Sequence, residues 1–160
     1  MKIIYKPIGI IHSPFDKLED MPIQPSSESS SPGVVEVYPE FTPGLKDLEG
    51  FSHIYLLYHL HKTSEVKLEV TPFLDEQPRG LFATRAPSRP NPIGLSLVKV
   101  ARIQESLIHV DRVDVLDGTP LIDLKPYIPV FEETEEARVG WLENARERIR
   151  SRNSDARFKG

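Results

Sequence analysis

Proline content is the feature that most restricts what this chain can fold into. Fifteen prolines and nine glycines are spread over its 160 residues. Proline lacks a backbone N–H and breaks the interior of a helix, so a helical bundle is excluded. The same residues suit the turns and edges of short strands. We therefore predict a mainly β fold, a small single-domain β-barrel with a C-terminal helix.

Runs of β-branched and aromatic residues locate the predicted strands. These lie at residues 2–12, 34–38, 51–61, 67–73, 81–84, 93–103 and 107–116. In the last of them, strict alternation places Ile108, Val110, Arg112 and Asp114 on one face. The run at 51–61 is nearly all apolar, which predicts a central strand buried on both faces.

The remaining segments complete the predicted order. Residues 42–50 predict one or two helical turns with Thr42 as the N-cap. Residues 121–129 predict a short edge element interrupted by prolines, and apolar spacing predicts a helix from Glu132 to about Arg150. We expect a barrel domain at 1–130 and a C-terminal helix with a basic tail at 131–160.

The charge pattern limits the classes of partner. A net charge of −4 argues against nucleic-acid binding over the whole surface, but it permits a local basic face. An acidic run at 132–136 precedes a basic tail that suits either an RNA-facing segment or a solvated helix. The absence of cysteine fits a reducing compartment. With neither a signal peptide nor an apolar run long enough to span a bilayer, a cytoplasmic protein without membrane contact is expected.

A stiff loop at residues 85–92, the Arg-Pro loop, combines two arginines, one asparagine and three prolines. Prolines fix the backbone and hold their preceding residues extended, so less entropy is lost when a ligand binds. Presentation of Arg85 and Arg89 to a ligand and a solvated surface turn both remain open. The polar loop at 20–33 is likewise either a disordered insertion or an active-site loop.

Three histidines, His53, His59 and His61, would share one face of a strand. Because no fourth ligand is in view, hydrogen-bonded histidines at a site or core edge are favoured over a metal centre. We expect no metal site.

Four segments resemble, in order, the TsaA-like family. They are IGIIHSPF (8–15), LEGFSH (48–53), ATRAPSRPNPIG (83–94) and DGTPLIDLKPY (117–127). This is the TrmO family of tRNA methyltransferases, which modify threonylcarbamoyladenosine next to the anticodon. The resemblance spans roughly residues 5 to 130. It implies a dimeric β-barrel enzyme that binds S-adenosyl-L-methionine outside the Rossmann class and acts on tRNA.

The resemblance also implies site residues. The cofactor-binding positions would be Gln24, Pro25, Ser26, His61, Lys62, Arg85, Leu95, Asp114, Val115, Leu116 and Asp117. Arg85 would pair with the methionine carboxylate, and Asp114 or Asp117 would accept hydrogen bonds from the ribose or amino group. The catalytic positions would be Asp117, Arg89 and Asn91, the last two facing the RNA or the threonylcarbamoyl carboxylate. Asp117 is alternatively only the turn residue of an Asp-Gly pair.

Better-known bacterial members of this family carry a further C-terminal domain, so RNA contacts here are expected on the basic tail. Those residues are Arg146, Arg148, Arg150 and Arg152. Two other functions remain open: a methyltransferase with a different substrate, and a module that binds S-adenosylmethionine without catalysis.

Overall fold

The computed structural model describes residues 1–21, 31–73 and 75–143. Six strands form a closed antiparallel barrel: β1 (Gly9–His12), β2 (Gly33–Val37), β3 (His53–His59), β6 (Ile93–Gln104), β7 (Leu107–Asp111) and β8 (Thr119–Pro126). They follow one another around the barrel in the order β1-β2-β7-β6-β3-β8, with β8 pairing back onto β1. The predicted mainly β barrel is confirmed.

Shorter elements connect and follow these strands. Strands β4 (Glu69–Val70) and β5 (Arg79–Gly80) form a separate antiparallel pair, and helix α1 is Pro129–Glu132. The 3-10 helices are Leu18–Asp20, Pro39–Leu45, Leu48–Gly50 and Leu81–Ala83. Among the helices described, none is long and apolar enough to cross a bilayer.

The chain divides into two compact units. The first comprises Met1–Val66 and Pro87–Ile128 and contains the barrel. The second comprises Lys67–Ala86 and Pro129–Gly160 and contains β4, β5 and α1. The domain division predicted from the sequence, 1–130 and 131–160, stays a prediction.

The barrel interior is filled by alternate residues of its strands. In β3, Ile54 and Leu56 are fully buried and Tyr58 nearly so, whereas the residues between them are only partly buried. Burial of one such aliphatic side chain contributes about 1.5–3 kcal/mol. The prediction that this strand is buried on both faces is therefore wrong, because its outer face is not covered to the same extent.

Several predicted elements differ in the structure. Strand β1 begins at Gly9, after Pro7, whose ring nitrogen has no hydrogen to donate to a ladder. Residues 81–83 form a 3-10 helix instead of a strand. Strand β8 is not an edge element, since it pairs with both β1 and β3. The N-cap residue of the 3-10 helix at 39–45 is Tyr38 and not Thr42, and the Tyr38 side chain makes no capping hydrogen bond.

The predicted alternation after β7 fails at one residue. Arg112 has a φ of 67°, in the left-handed region, so the strand ends at Asp111. Beyond it Val113 and Val115 are buried, and they thus enter the same core as Ile108. Asp114 therefore does not share a face with Ile108 and Val110, as strict alternation had predicted.

The C-terminal segment is less helical than predicted. Helix α1 ends at Glu132, and no helix follows over residues 133–141, so the predicted helix is wrong there. Glutamates three and four residues apart would repel one another in such a helix. Trp141 Nε1 instead donates to the carbonyl of Ala83 at 2.8 Å. The predicted helix at 144–150 and the basic tail lie outside the described residues.

Candidate cofactor pocket

An open pocket lies in the barrel unit, formed where several strand ends and loops meet. Its space free of protein atoms is about 440 Å³, the mouth included. The cavity proper is about 100 Å³, so the described residues form a partial, open pocket and do not enclose a whole small molecule. The described lining residues are Leu18, Met21, Tyr58, Leu60, His61, Lys62, Thr63, Pro87, Asp114, Val115, Leu116 and Thr119.

The turn after β3 supplies one wall of the pocket. The N–H of His61 donates to the carbonyl of His59 at 2.9 Å, and that of Thr63 to the carbonyl of Leu60 at 3.1 Å. Burial lowers the pKa of His61 below its usual value, and the neighbouring Lys62 charge lowers it further. A hydrogen bond with the His59 backbone opposes part of this shift. His61 is therefore a neutral imidazole at neutral pH.

The segment between β7 and β8 supplies the lining residues Asp114, Val115 and Leu116. Ser13 holds this segment in place. The hydroxyl of Ser13 donates to the carbonyl of Val115 at 2.6 Å, and its N–H donates to Asp117 Oδ1 at 2.9 Å. The N–H of Asp117 donates to the carbonyl of Phe15 at 2.8 Å. Gly118, with a φ of 73°, completes the turn in a conformation that suits glycine.

Asp117 itself has a turn role in this structure. Its Oδ1 accepts the Ser13 N–H and lies 3.7 Å from His12 Nδ1, while Glu36 contacts the other nitrogen of that ring at 2.8 Å. Asp117 is not among the described residues that line the pocket. The turn alternative thus has direct support, and the proposed catalytic role stays a prediction.

A buried polar chain reaches the pocket from the barrel interior. The hydroxyls of Tyr58 and Ser96 are 3.0 Å apart, and Ser96 Oγ donates to Asp114 Oδ1 at 2.5 Å. Ser96 is only 6% exposed. Neither Tyr58 nor Ser96 was predicted as a site residue from the sequence. The signal was present in β6, where Ser96 occupies an inward position between Gly94 and Val98 in an otherwise apolar alternation.

The Arg-Pro loop contributes residues to both units. Arg85 is exposed and belongs to the second unit, whereas Arg89 and Asn91 belong to the first. The loop is locally folded, since the N–H of Arg89 donates to the Pro87 carbonyl at 2.7 Å and that of Ile93 to the Asn91 carbonyl at 2.8 Å. Neither Arg89 nor Asn91 is among the described lining residues.

Leu95 lies on the outer face of the barrel. It pairs with Leu57 of β3 and is 48% exposed, beside Ile93 at 39% and Leu97 at 40%. These three residues form an exposed apolar stripe along β6, which we call the β6 stripe. Leu95 is thus directed away from the interior that holds Ser96.

Five of the predicted cofactor residues meet in one pocket: His61, Lys62, Asp114, Val115 and Leu116. Gln24, Pro25 and Ser26 lie outside the described residues. Within the part of the chain that the structure describes, no cluster of three His, Asp or Glu side chains could hold a metal ion. The assignment of all these residues to a cofactor remains a prediction.

Comparison with known proteins identifies the family. The model of the tRNA-methyltransferase O N-terminal domain matches residues 10–133. A probable S-adenosyl-L-methionine-binding protein of Pyrococcus abyssi is 49% identical over 158 residues, covering 99% of this chain and 86% of the relative. The tRNA (adenine(37)-N6)-methyltransferase of Escherichia coli is 35% identical over 154 residues, covering 88% of this chain and 64% of that enzyme.

Solved structures agree with the sequence matches. A crystal structure of TrmO superposes with a TM-score of 0.74 at 37% identity, over 88% of this chain and 64% of that one. The chain therefore spans less than two thirds of the Escherichia coli enzyme and of that TrmO chain. The family model covers most of the chain, and the resemblance in its four motifs is confirmed. The chain belongs to the TrmO family, that of the tRNA-methyltransferase O N-terminal domain.

Proposed function

We propose that this protein is an S-adenosyl-L-methionine-dependent tRNA methyltransferase that methylates N6 of an adenosine, with threonylcarbamoyladenosine next to the anticodon as substrate. The observation that carries the proposal is the convergence of His61, Lys62 and the 114–116 segment on one pocket. Relatives in Escherichia coli and mouse bear the name tRNA (adenine(37)-N6)-methyltransferase. Because tRNA is the substrate, the protein would act in the cytoplasm.

The pocket has the chemistry that this cofactor requires. Its walls combine apolar side chains with the carboxylate of Asp114, the ammonium group of Lys62, the imidazole of His61 and two threonines. The cofactor would supply a methyl group on a positively charged sulfur. Asp114 would attract that charge or accept a hydrogen bond from the ribose or amino group. The lowered pKa of His61 means that this side chain adds no positive charge to that of Lys62, and Arg85 would pair with the methionine carboxylate.

The protein's contribution to the reaction would be placement. In methyl transfer the bond from carbon to sulfur breaks as the bond from N6 to carbon forms, the sulfur leaves as a neutral thioether, and N6 loses its proton to water or a base. Such a displacement requires N6, the methyl carbon and sulfur in line, so fixed positions reduce the barrier. Arg89 and Asn91 would hold the RNA or the threonylcarbamoyl carboxylate, as the Arg-Pro loop restricts their backbone.

The position of Leu95 supports a homodimer. Its side chain is on the outside of the barrel, so it would contact a cofactor only when that cofactor is bound by a second copy of the chain. The β6 stripe gives such a contact an apolar centre, a common property of dimer interfaces. We therefore propose that two chains associate through this face.

Transfer of a labelled methyl group to tRNA tests the function. The protein, S-adenosylmethionine labelled in its methyl group, and tRNA with or without the threonylcarbamoyl modification are incubated, and the nucleosides are analysed. Label at N6 of threonylcarbamoyladenosine supports the proposal. Label on a different nucleoside would identify another substrate. Cofactor binding without transfer to any RNA would support a non-catalytic module.

A further inference from the structure

Asp114, the carboxylate proposed to contact the cofactor, lies at the end of a hydrogen-bonded chain. The other two members of this chain were not predicted as site residues. Tyr58 is on β3, Ser96 on β6, and Asp114 follows β7. The three side chains are therefore brought together by the pairing of β6 with β3 on one side and with β7 on the other. We propose that Tyr58 and Ser96 are positioning residues, which fix the carboxylate of Asp114 for the cofactor. This inference rests on the proposed function, because it requires a cofactor in the pocket.

The direction of the hydrogen bonds in this chain follows from the chemistry of its groups. An ionised carboxylate can only accept, so the single hydroxyl hydrogen of Ser96 is donated to Asp114 Oδ1. Ser96 Oγ must then accept from Tyr58, whose hydroxyl is 3.0 Å away. Each donor strengthens the next along such a chain. The distance of 2.5 Å to Oδ1 is that of a charge-assisted hydrogen bond.

Burial makes this arrangement specific. Tyr58 and Ser96 are 7% and 6% exposed, so neither hydroxyl can readily exchange its partner for water. Removal of the Ser96 hydroxyl would leave Oδ1 without its donor beside an apolar core. The hydrogen bond from Ser96 fixes Oδ1 in place, and with it the plane of the carboxylate. The chain thus determines the orientation in which the carboxylate meets the cofactor.

Gly94 provides the space that the ring of Tyr58, the first residue of this chain, occupies. It pairs directly with Tyr58 across β3 and β6, and a Cβ at residue 94 would overlap the tyrosine ring. The ring therefore lies against the bare backbone of Gly94, two residues from Ser96 along the same strand. A side chain at residue 94 would displace the hydroxyl of Tyr58 from Ser96.

A double-mutant cycle on cofactor affinity tests the positioning role. Dissociation constants for S-adenosylmethionine are measured by calorimetry for the unmodified protein, Ser96→Ala, Tyr58→Phe, Asp114→Asn and the double variant Ser96→Ala/Asp114→Asn. Ser96→Ala is expected to weaken binding about tenfold and Tyr58→Phe about threefold. In the Asp114→Asn background, Ser96→Ala should change the constant by less than about twofold.

Tyr38→Phe is the matched control, because it removes a tyrosine hydroxyl from a residue outside the described lining of the pocket. Urea unfolding of each variant confirms that it is folded at the temperature of the binding measurement. If Ser96→Ala and Tyr58→Phe lower stability but leave affinity unchanged, or if Ser96→Ala weakens binding equally in both backgrounds, the positioning role is contradicted. If the unmodified protein does not bind S-adenosylmethionine, the proposed function fails, and the positioning role fails with it.

Discussion

The contact of Gly94 with Tyr58 gives the most quantitative prediction, and Gly94→Ala is the substitution that tests it. An added Cβ would overlap three atoms of the tyrosine ring, which cannot retreat because Tyr58 is buried in the barrel. Overpacking of this kind costs about 1–3 kcal/mol, and loss of the Tyr58–Ser96 hydrogen bond adds about 1 kcal/mol. The lower entropy of alanine in the unfolded chain returns roughly 0.5–1 kcal/mol. We therefore expect the free energy of unfolding to fall by about 1–3.5 kcal/mol.

Urea unfolding followed by circular dichroism measures this loss. Gly44→Ala is the control, since a Cβ at Gly44 would meet no atom within 4 Å and the φ of Gly44 is not in the left-handed region. The cost of Gly94→Ala should disappear in a Tyr58→Ala background, where no ring remains to be displaced. Equal costs in both backgrounds, or a Gly94→Ala variant as stable as Gly44→Ala, would refute the reasoning.

Three further predictions concern His61, the β6 stripe and Trp141. The lowered pKa of His61 means that the unfolded chain binds the proton more readily, so stability should fall as pH drops from about 6.5 through that pKa. Cofactor affinity should fall over the same pH range, because a protonated His61 repels the positively charged sulfur. The His61→Gln variant should lose both dependences, and an unchanged pH profile in the variant would contradict this. Leu95→Asp should convert a dimer to a monomer by light scattering, whereas the same mass for the variant and the unmodified protein would exclude this interface. Trp141→Phe removes the donor to the Ala83 carbonyl and should lower the free energy of unfolding by about 0.5–1 kcal/mol, and no change would show that the bond contributes nothing.

Local patterns predicted those elements that local forces determine. The strand at 34–38 and the long strand beginning at Ile93 are present as β2 and β6, because alternation and β-branched residues suffice to specify them. The Asp-Gly turn before β8 also forms, and Gly118 has the positive φ that such a turn needs. The order of these strands around the barrel depends on contacts distant in sequence, which alternation does not encode.

Other elements were decided by tertiary contacts. Arg112 adopts a left-handed conformation, an unusual choice for a non-glycine residue, and it moves Val113 and Val115 into the core. The predicted helix after Glu132 gives way to a path along which Trp141 reaches the carbonyl of Ala83. The periodicity of apolar residues gives no information on such tertiary contacts.

The candidate site shows the same division. His61 and Asp114 were predicted as cofactor positions from the resemblance to the family, although both lie outside its four motifs, and the structure brings both to one pocket. Tyr58 and Ser96 were missed, because each reads as part of an ordinary strand until the β3–β6 register places Tyr58 opposite Gly94. Polar residues at inward strand positions are therefore informative in this fold, since burial obliges them to find partners.

The rate of methyl transfer by the Asp114→Asn variant tests most directly whether the protein methylates tRNA with a cofactor held at Asp114. Initial rates are measured with labelled S-adenosylmethionine and threonylcarbamoylated tRNA for the unmodified protein and for this variant, with tRNA lacking the threonylcarbamoyl group as the control substrate. Transfer is expected to the modified tRNA alone, with a kcat/KM lower by about tenfold or more in the variant, because the partly buried carboxylate of Asp114 loses its charge and its charge-assisted hydrogen bond with Ser96. Absence of transfer by the unmodified protein, or an undiminished kcat/KM in Asp114→Asn, would contradict it.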